Sequence, residues 1–268
     1  VTLGQAVLIE GDQTLSIQGG VRTTPDNWQY NVDARANRLD HRRVLGLWPE
    51  AFLPKLRVWI DENIHALDLH SARVSLRSRE DDKPDVRADF QFRDLDMRFA
   101  KTLPDMQGAA GYASFADNAF RVAAEKGYVT ADEGGVIDAT GTGFTIFDTR
   151  QKPPPARVDL KAQGPIPAAL SLLNRPPLSA MDKAELPVTL AQGEVRAEGT
   201  IELLLKKDLP KDLIVFDLRG EIPAFSSDHF VKGKTIRGAA NWQASNGRLR
   251  FLGAGRLGEV PFDGSGER

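Results

Sequence analysis

The sequence predicts a mainly β protein: one long, curved antiparallel sheet carrying a short helical insert. Three observations predict it. Apolar residues recur at every second position through most of the 268 residues, which places them on a single face of each strand. Several of these rows change phase midway, and each change requires an inserted residue. A β-bulge supplies that residue and bends the strand, so the strands are expected to be long and curved rather than short and flat. Turn chemistry separates the rows at short intervals, and strands joined by tight turns are antiparallel neighbours, because a parallel crossover needs about a dozen residues or more.

Taken in chain order, Gly11-Asp12 is the first turn signal and Pro25-Asp26-Asn27 the second, both with residues that favour tight turns. Trp28, Tyr30, Val32, Ala34 and Ala36 then form one alternating row. Residues 40–64 break the alternation: Val44, Leu45 and Trp48 precede Pro49, and Leu56, Trp59, Ile60 and Ile64 follow Pro54, at helical spacing. Two or three short helices are expected there, with Asp40 as an N-cap and Pro49 and Pro54 in first turns. Leu67 and Leu69 resume a strand, and Val74 and Leu76 continue it after a change of phase. The loop Asp81-Asp82-Lys83-Pro84 leads to Val86, Ala88, Phe90 and Phe92, after which the apolar set moves to Leu95, Met97 and Phe99.

Asp117-Asn118 and Glu133-Gly134-Gly135 mark further turns. Val158, Leu160 and Ala162 form the next row, between extended loops expected at Lys152 to Pro155 and at Asn174 to Pro177; a short helix is expected at Pro165 to Leu173. Ile201, Leu203 and Leu205 follow, then a third expected phase switch from Val215 to Leu218 and Ile222. Ile236, Ala240, Trp242 and Ala244, the turn Asn246-Gly247, and Leu249 with Phe251 complete the pattern. Met106 to Tyr112 is echoed by Ile236 to Trp242, and Ala119 to Val122 by Arg248 to Phe251, which reads as two repeat units, 83–165 and 186–268.

Composition narrows the function classes. With 41% hydrophobic and 27% charged residues the chain is too apolar to be disordered, and no apolar run approaches the roughly 20 residues of a spanning helix. Lys and Arg (35) nearly balance Asp and Glu (37) and are interspersed, so no basic stripe favours nucleic acid as a partner. Cysteine is absent, which removes disulfides and thiolate chemistry and leaves the compartment open. The chain starts Val1-Thr2 and stops while strand-like alternation is still running. It therefore reads as one continuous β segment, 1–268, of a longer protein, with any membrane anchor outside it.

Chemistry-bearing motifs are weak. Gly253-Ala254-Gly255-Arg256-Leu257-Gly258 spells G-x-G-x-x-G, but strand pattern follows it and no helix N-terminus is expected to hold a pyrophosphate. His41, His65, His70 and His229 stand in no metal-ligand spacing. Asp94 and Asp96 flank Leu95 as the expected polar side of a strand, and Ser226-Ser227-Asp228-His229 lacks a nucleophile elbow. No catalytic residue, cofactor or metal is assigned, and a non-enzymatic role is expected.

The run from Leu47 through Trp48, Pro49, Pro54, Arg57 and Trp59 to Ile64, followed by long alternating strands and then Leu103-Pro104-Asp105-Met106-Gln107-Gly108, resembles AsmA-like envelope proteins of Gram-negative bacteria. It is most similar to their YhdP-type members, which are related to TamB-type lipid-transport proteins. The resemblance covers most of the chain from about Leu39 onward, and Ala66 stands where a glycine is common in that family. It implies a repeating β-groove, open like a half-barrel, in the periplasmic part of an inner-membrane-anchored protein. It further implies that the groove shields or conducts phospholipid or other acyl-chain lipid between the inner and outer membranes.

The lining expected on that reading is Phe90, Phe92, Leu95, Met97, Phe144, Ile146, Leu203, Leu205, Trp242 and Phe251. Alternation alone favours a closed sandwich or barrel core, the usual fate of alternating strands, and it is the resemblance that favours the open groove. A second functional reading is a scaffold or assembly module for outer-membrane proteins, binding periplasmic or outer-membrane partners at open sheet edges. A carbohydrate-binding sandwich is disfavoured by the 7% aromatic content.

Overall fold

A computed structural model describes residues 2–25, 28–50, 52–78 and 84–267. Asp26-Asn27 of the second expected turn, Asp81 to Lys83 of the following loop, and Ala51 of the insert lie outside the described residues.

The first half of the chain forms β1 (Thr2–Glu10), β2 (Gln13–Thr23), β3 (Trp28–Asp40), α1 (His41–Leu47), α2 (Pro54–Asn63), β4 (Ile64–Arg77), β5 (Asp85–Met97), β6 (Met106–Ala116) and β7 (Ala119–Thr130). Two short strands, β8 (Val136–Asp138) and β9 (Gly143–Ile146), precede β10 (Pro155–Pro165), α3 (Ile166–Asn174) and α4 (Ala180–Ala184). The chain continues through β11 (Gln192–Leu204), β12 (Val215–Val231), β13 (Lys234–Ser245), β14 (Arg248–Leu257) and β15 (Val260–Glu267). All fifteen strands belong to one antiparallel sheet in sequence order, with β8 and β9 sharing the place between β7 and β10. The sheet is curved and does not close into a barrel. At about 4.8 Å per strand it extends roughly 65 Å across its strands.

In such a meander the chain crosses the sheet back and forth, so alternate connections fall on the same long rim. Both helical connections, β3 to β4 and β10 to β11, lie on one rim, together with the loop 98–105 after β5 and the turns after β1, β7, β12 and β14. The opposite rim carries turns, longer loops and the 3-10 turn Lys211–Leu213.

The expected phase switches become bulges at particular residues. Register shifts between His70 and Arg73, where Ser71 takes φ 52°, and between Phe92 and Leu95, where Asp94 takes φ 48°. A positive φ at a non-glycine residue is uncommon, and here it lets the extra residue turn out of the ladder. The switch expected at Val215 is not a bulge: pairing runs unbroken from Glu202–Val215 to Arg196–Glu221, and the shift falls later, between Ile222 and Phe225. Val215 points to the polar side and is 55% exposed, while Phe216 begins the apolar row. The repeat echo also fails at the level of faces: Gly108 takes φ 56° within a bulged stretch, so Tyr112 is on the polar side whereas its counterpart Trp242 is on the apolar side.

The helices follow local chemistry. Asp40 caps α1 by accepting the Arg43 N–H at 2.9 Å, and Pro54 sits in the first turn of α2, where no N–H is needed. Pro49, expected in a first turn, lies instead in the link between α1 and α2. The expected helix at 165–173 is α3; α4 was not expected. Asn174 Oδ1 accepts the N–H groups of Met181 and Asp182 at the start of α4, a role its own N-cap residue Ser179 does not fill.

Buried apolar side chains are few and small. They include seven alanines with Phe92, Val129, Ile137, Ile166, Met181 and the fully covered Ala168. The compact cluster is Ala131, Ile137 and Ala168, where α3 packs on the sheet beside Ala162 and Leu172. The accessible surface is 17073 Å², against about 11,500 Å² for a compact monomer of the same mass. The excess is the sheet itself, which has no second layer over most of its apolar side.

Candidate functional site: an uncovered apolar face

Cross-strand register decides which side chains share a face. One row runs from Ile17 and Ala34 through Val74, Ala88, Phe115, Phe120, Ile146 and Ala156 to Leu203. A parallel row runs through Phe90, Ala113, Val122, Phe144, Val158, Ile201 and Phe216. A third joins Ala162, Ala197, Gly220, Trp242, Phe251 and Gly266. No side chain in these rows is charged. Together they make a hydrophobic surface continuous from β2 to β15.

All the expected lining residues except Leu205 fall on this face. Phe92 pairs with Gly111, and Leu95 with Ala109 on the same face of β6; beyond the Gly108 bulge, Met97 meets Met106. Phe92 is covered, Phe251 is 44% exposed, and Phe90, Leu95, Met97, Phe144, Ile146, Leu203 and Trp242 are half-buried. Leu205 lies one residue past β11, where its N–H reaches the Pro154 carbonyl, and is exposed. Sequence reasoning missed Phe115, Phe120, Phe216 and Phe225 on the same face. The signal was present at Phe115 and Phe120, which stand in step across the turn Asp117-Asn118.

The opposite face is polar and laced by cross-strand ion pairs: Arg77 with Asp33 at 2.7 Å, Arg196 with Glu221 at 2.7 Å, and Arg219 with Glu198 at 2.6 Å. At the helical rim, Arg38 spans Asp68 and Asp12. Burial alone would raise Asp68, but the hydrogen bonds from Arg38, with His70 Nε2 3.1 Å away, outweigh it and hold the carboxyl below its usual range.

The helix α3 is fastened over its end of the apolar face by Arg175, which donates to both Asp132 carboxylate oxygens and to the Thr102 carbonyl. That guanidinium lowers the Asp132 pKa. The helical-motif residues form a separate element. Trp48 donates Nε1–H to the Phe52 carbonyl at 2.6 Å with the two rings 6.3 Å apart, Arg57 reaches the Leu45 carbonyl, and Trp59 is 43% exposed.

The other flagged motifs have structural roles. Gly253 and Gly255 are strand residues of β14, and Gly258 is a turn glycine with φ 60°. Ser227 is buried, and its hydroxyl donates to the Leu190 carbonyl. Asp96 accepts the Gly108 N–H at 2.8 Å and so stabilises the neighbouring bulge. His65 meets Asp105 at 3.3 Å. Among the described residues no group of three or more His, Asp or Glu side chains is placed to hold a metal ion, and no helix is long and apolar enough to cross a membrane.

No family model, no curated protein and no solved structure matches this chain.

Proposed function

We propose that this chain is a lipid-holding trough: a segment of an AsmA-like, inner-membrane-anchored envelope protein that shields phospholipid acyl chains crossing the periplasm. The observation that carries the reading is the unbroken apolar face from β2 to β15, left, among the described residues, without a covering layer over most of its extent in a chain of 268 residues. A chain of this length ordinarily folds its apolar faces against one another, because each square ångström of apolar surface withdrawn from water contributes about 25 cal/mol. An acyl chain laid on this face satisfies the same demand, at about 0.8 kcal/mol per methylene, and needs no catalytic group, cofactor or metal. The resemblance in residues 47–64 and beyond supplies the envelope setting.

The test is direct. Protein purified without harsh detergent is examined by native mass spectrometry and titrated with fluorescent phospholipid. Co-purified or exchangeable lipid is expected, and its absence across several mild detergents refutes the reading.

A second reading, an assembly module acting by strand addition, is favoured by one observation: β1 and β15 each pair on one side only among the described residues. Cross-links from β1 or β15 to an outer-membrane or periplasmic protein, in protein that holds no lipid, would support it over the first.

A further inference from the structure

We propose that a cleft on the polar face of the sheet, where β2, β3 and β4 lie side by side, binds a tetrahedral oxyanion: the phosphoryl group of a small phosphate or phosphate ester. Its polar lining is Thr14, Ser16, Arg35, Asn37, Ser71 and Arg73. The cleft holds about 270 Å³, less than the roughly 300–1,000 Å³ of sites that enclose a drug-sized molecule. That space suits one small charged group rather than an extended ligand.

The cleft has a local cause. Leu39, Leu69 and Phe92 stand in register across β3, β4 and β5, as do Ala34, Val74 and Ala88. Partners across a ladder share a face, so all six are on the apolar side, yet an odd number of residues separates Leu39 from Ala34 and Leu69 from Val74. Both strands therefore carry an extra residue at the same level: Asn37 on β3 and Ser71, with φ 52°, on β4. Paired bulges open the ladder there and re-aim the side chains beside it. Asn37 is anchored across the opening, because its Oδ1 accepts the Thr14 N–H at 2.7 Å and its Nδ2 donates to the Asp12 carbonyl at 2.7 Å.

Charge selects the ligand. Arg35 and Arg73 are direct cross-strand partners, and like charges so placed repel. Among the described residues no carboxylate comes within ion-pair distance of Arg35, and Arg73 meets only Asp89, its partner on β5, at 3.9 Å. The other acids around the cleft are engaged elsewhere. Asp33 accepts from Arg77 at 2.7 and 2.9 Å, Asp12 and Asp68 from Arg38, and Asp40 from Gln13 and the Arg43 N–H, while Glu10 meets the Arg43 side chain. Arg237 and Arg256 also stand opposite each other, but there Glu259 meets Arg256 at 3.2 Å. An oxyanion between Arg35 and Arg73 supplies the missing negative charge. Guanidinium groups grip phosphoryl oxygens through paired, charge-assisted hydrogen bonds, and the Thr14 and Ser71 hydroxyls add neutral donors. The cleft lies on the face opposite the trough, so the proposal does not depend on lipid being held there.

The experiment titrates inorganic phosphate into the protein in phosphate-free buffer at constant ionic strength, reading both the heat of binding and the thermal unfolding midpoint. Saturable binding and a raised midpoint are expected. Arg35→Gln and Arg73→Gln each weaken binding by roughly tenfold or more. Arg219→Gln, which breaks a cross-strand pair farther along the same face, leaves binding unchanged. Without phosphate, Arg35→Gln is at least as stable as the wild type, since the repulsion is gone. Should Arg73→Gln fail to fold, Arg73→Lys keeps the charge but loses the paired geometry, and binding again falls. Glycerol 1-phosphate and monomeric dihexanoyl phosphatidic acid identify the source. Equal binding of all three marks the phosphoryl group alone as the ligand, and much tighter binding of the lipid marks a headgroup. The proposal is overturned if phosphate does not bind saturably, if chloride raises the midpoint as much, or if the folded arginine variants bind phosphate as the wild type does. It is also overturned if Arg35→Gln is the less stable protein without phosphate, since the arginine pair is then not repulsive.

Discussion

The indole of Trp242 lies over Gly220 in the neighbouring strand: a β-carbon on the glycine would stand 2.6 Å from Cε2 and Cζ2 of the ring and 2.0 Å from the Arg196 carbonyl oxygen. Phe92 and Gly111 repeat the arrangement, with 3.0 Å to the ring and 2.0 Å to the Ala123 carbonyl. At both places a neighbouring backbone approaches from the apolar side, as it does where a sheet bends towards that side. The missing β-carbon permits the bend, and the aromatic ring across the ladder fills the space above it.

Gly220→Ala is therefore expected to destabilise the protein by about 1–3 kcal/mol, read as a lower urea midpoint. Adding Trp242→Ala should not restore stability, because the Arg196 carbonyl remains in the way. Recovery in the double variant would show that the ring alone sets the limit.

Stability and lipid uptake should separate along the apolar face. Phe92, 3% exposed, is part of the packed structure, and Phe92→Ala should cost about 3–5 kcal/mol. Phe251, 44% exposed, is available to a ligand, so Phe251→Asp should change stability by less than about 1 kcal/mol while lowering phospholipid uptake. Equal destabilisation by the two changes would mean that the face is closed in solution.

The α1 helix depends on its cap. Asp40→Ala should remove about 1 kcal/mol from local stability, seen as faster hydrogen exchange at the Arg43 amide with little change in the strands. Unchanged exchange there would mean that the contacts of α1 with the sheet hold it without the cap.

Acid should loosen α3 before the sheet. The hydrogen bond from Arg175 is the main reason the Asp132 pKa lies below its ordinary value of 3.8. A lowered folded-state value means the contact contributes fully above the unfolded pKa and is lost as pH falls through the folded one. Hydrogen exchange in α3 should therefore rise as pH drops below about 4. Asp132→Asn should abolish that dependence, and a persistent pH effect in that variant would assign it to another group.

Local periods were legible in the sequence because they are local. Alternation in Val86 to Phe92, the bulges beside Ser71 and Asp94, the Asp40 cap and the turn at Asp117-Asn118 each follow from a few consecutive residues. The step at Val215 was misread for the same reason: an apolar residue on the outer face of a strand's first position resembles a phase change, and only pairing with Glu202 distinguishes the two. The echo of Met106 to Tyr112 in Ile236 to Trp242 misled likewise, because one bulge at Gly108 reverses the faces. Leu205 could not be placed by alternation once the strand had ended.

By itself the sequence determined that this protein is built of antiparallel strands with one apolar face each, since side-chain direction in a strand is fixed by the period of the backbone. The tertiary structure alone decided that these faces join into one surface, that β8 and β9 share a single place, that both helical connections stand on the same rim, and that α3 covers only one part of the face. Those outcomes rest on register between distant segments and on which surfaces find a covering partner, and no short stretch of residues encodes either.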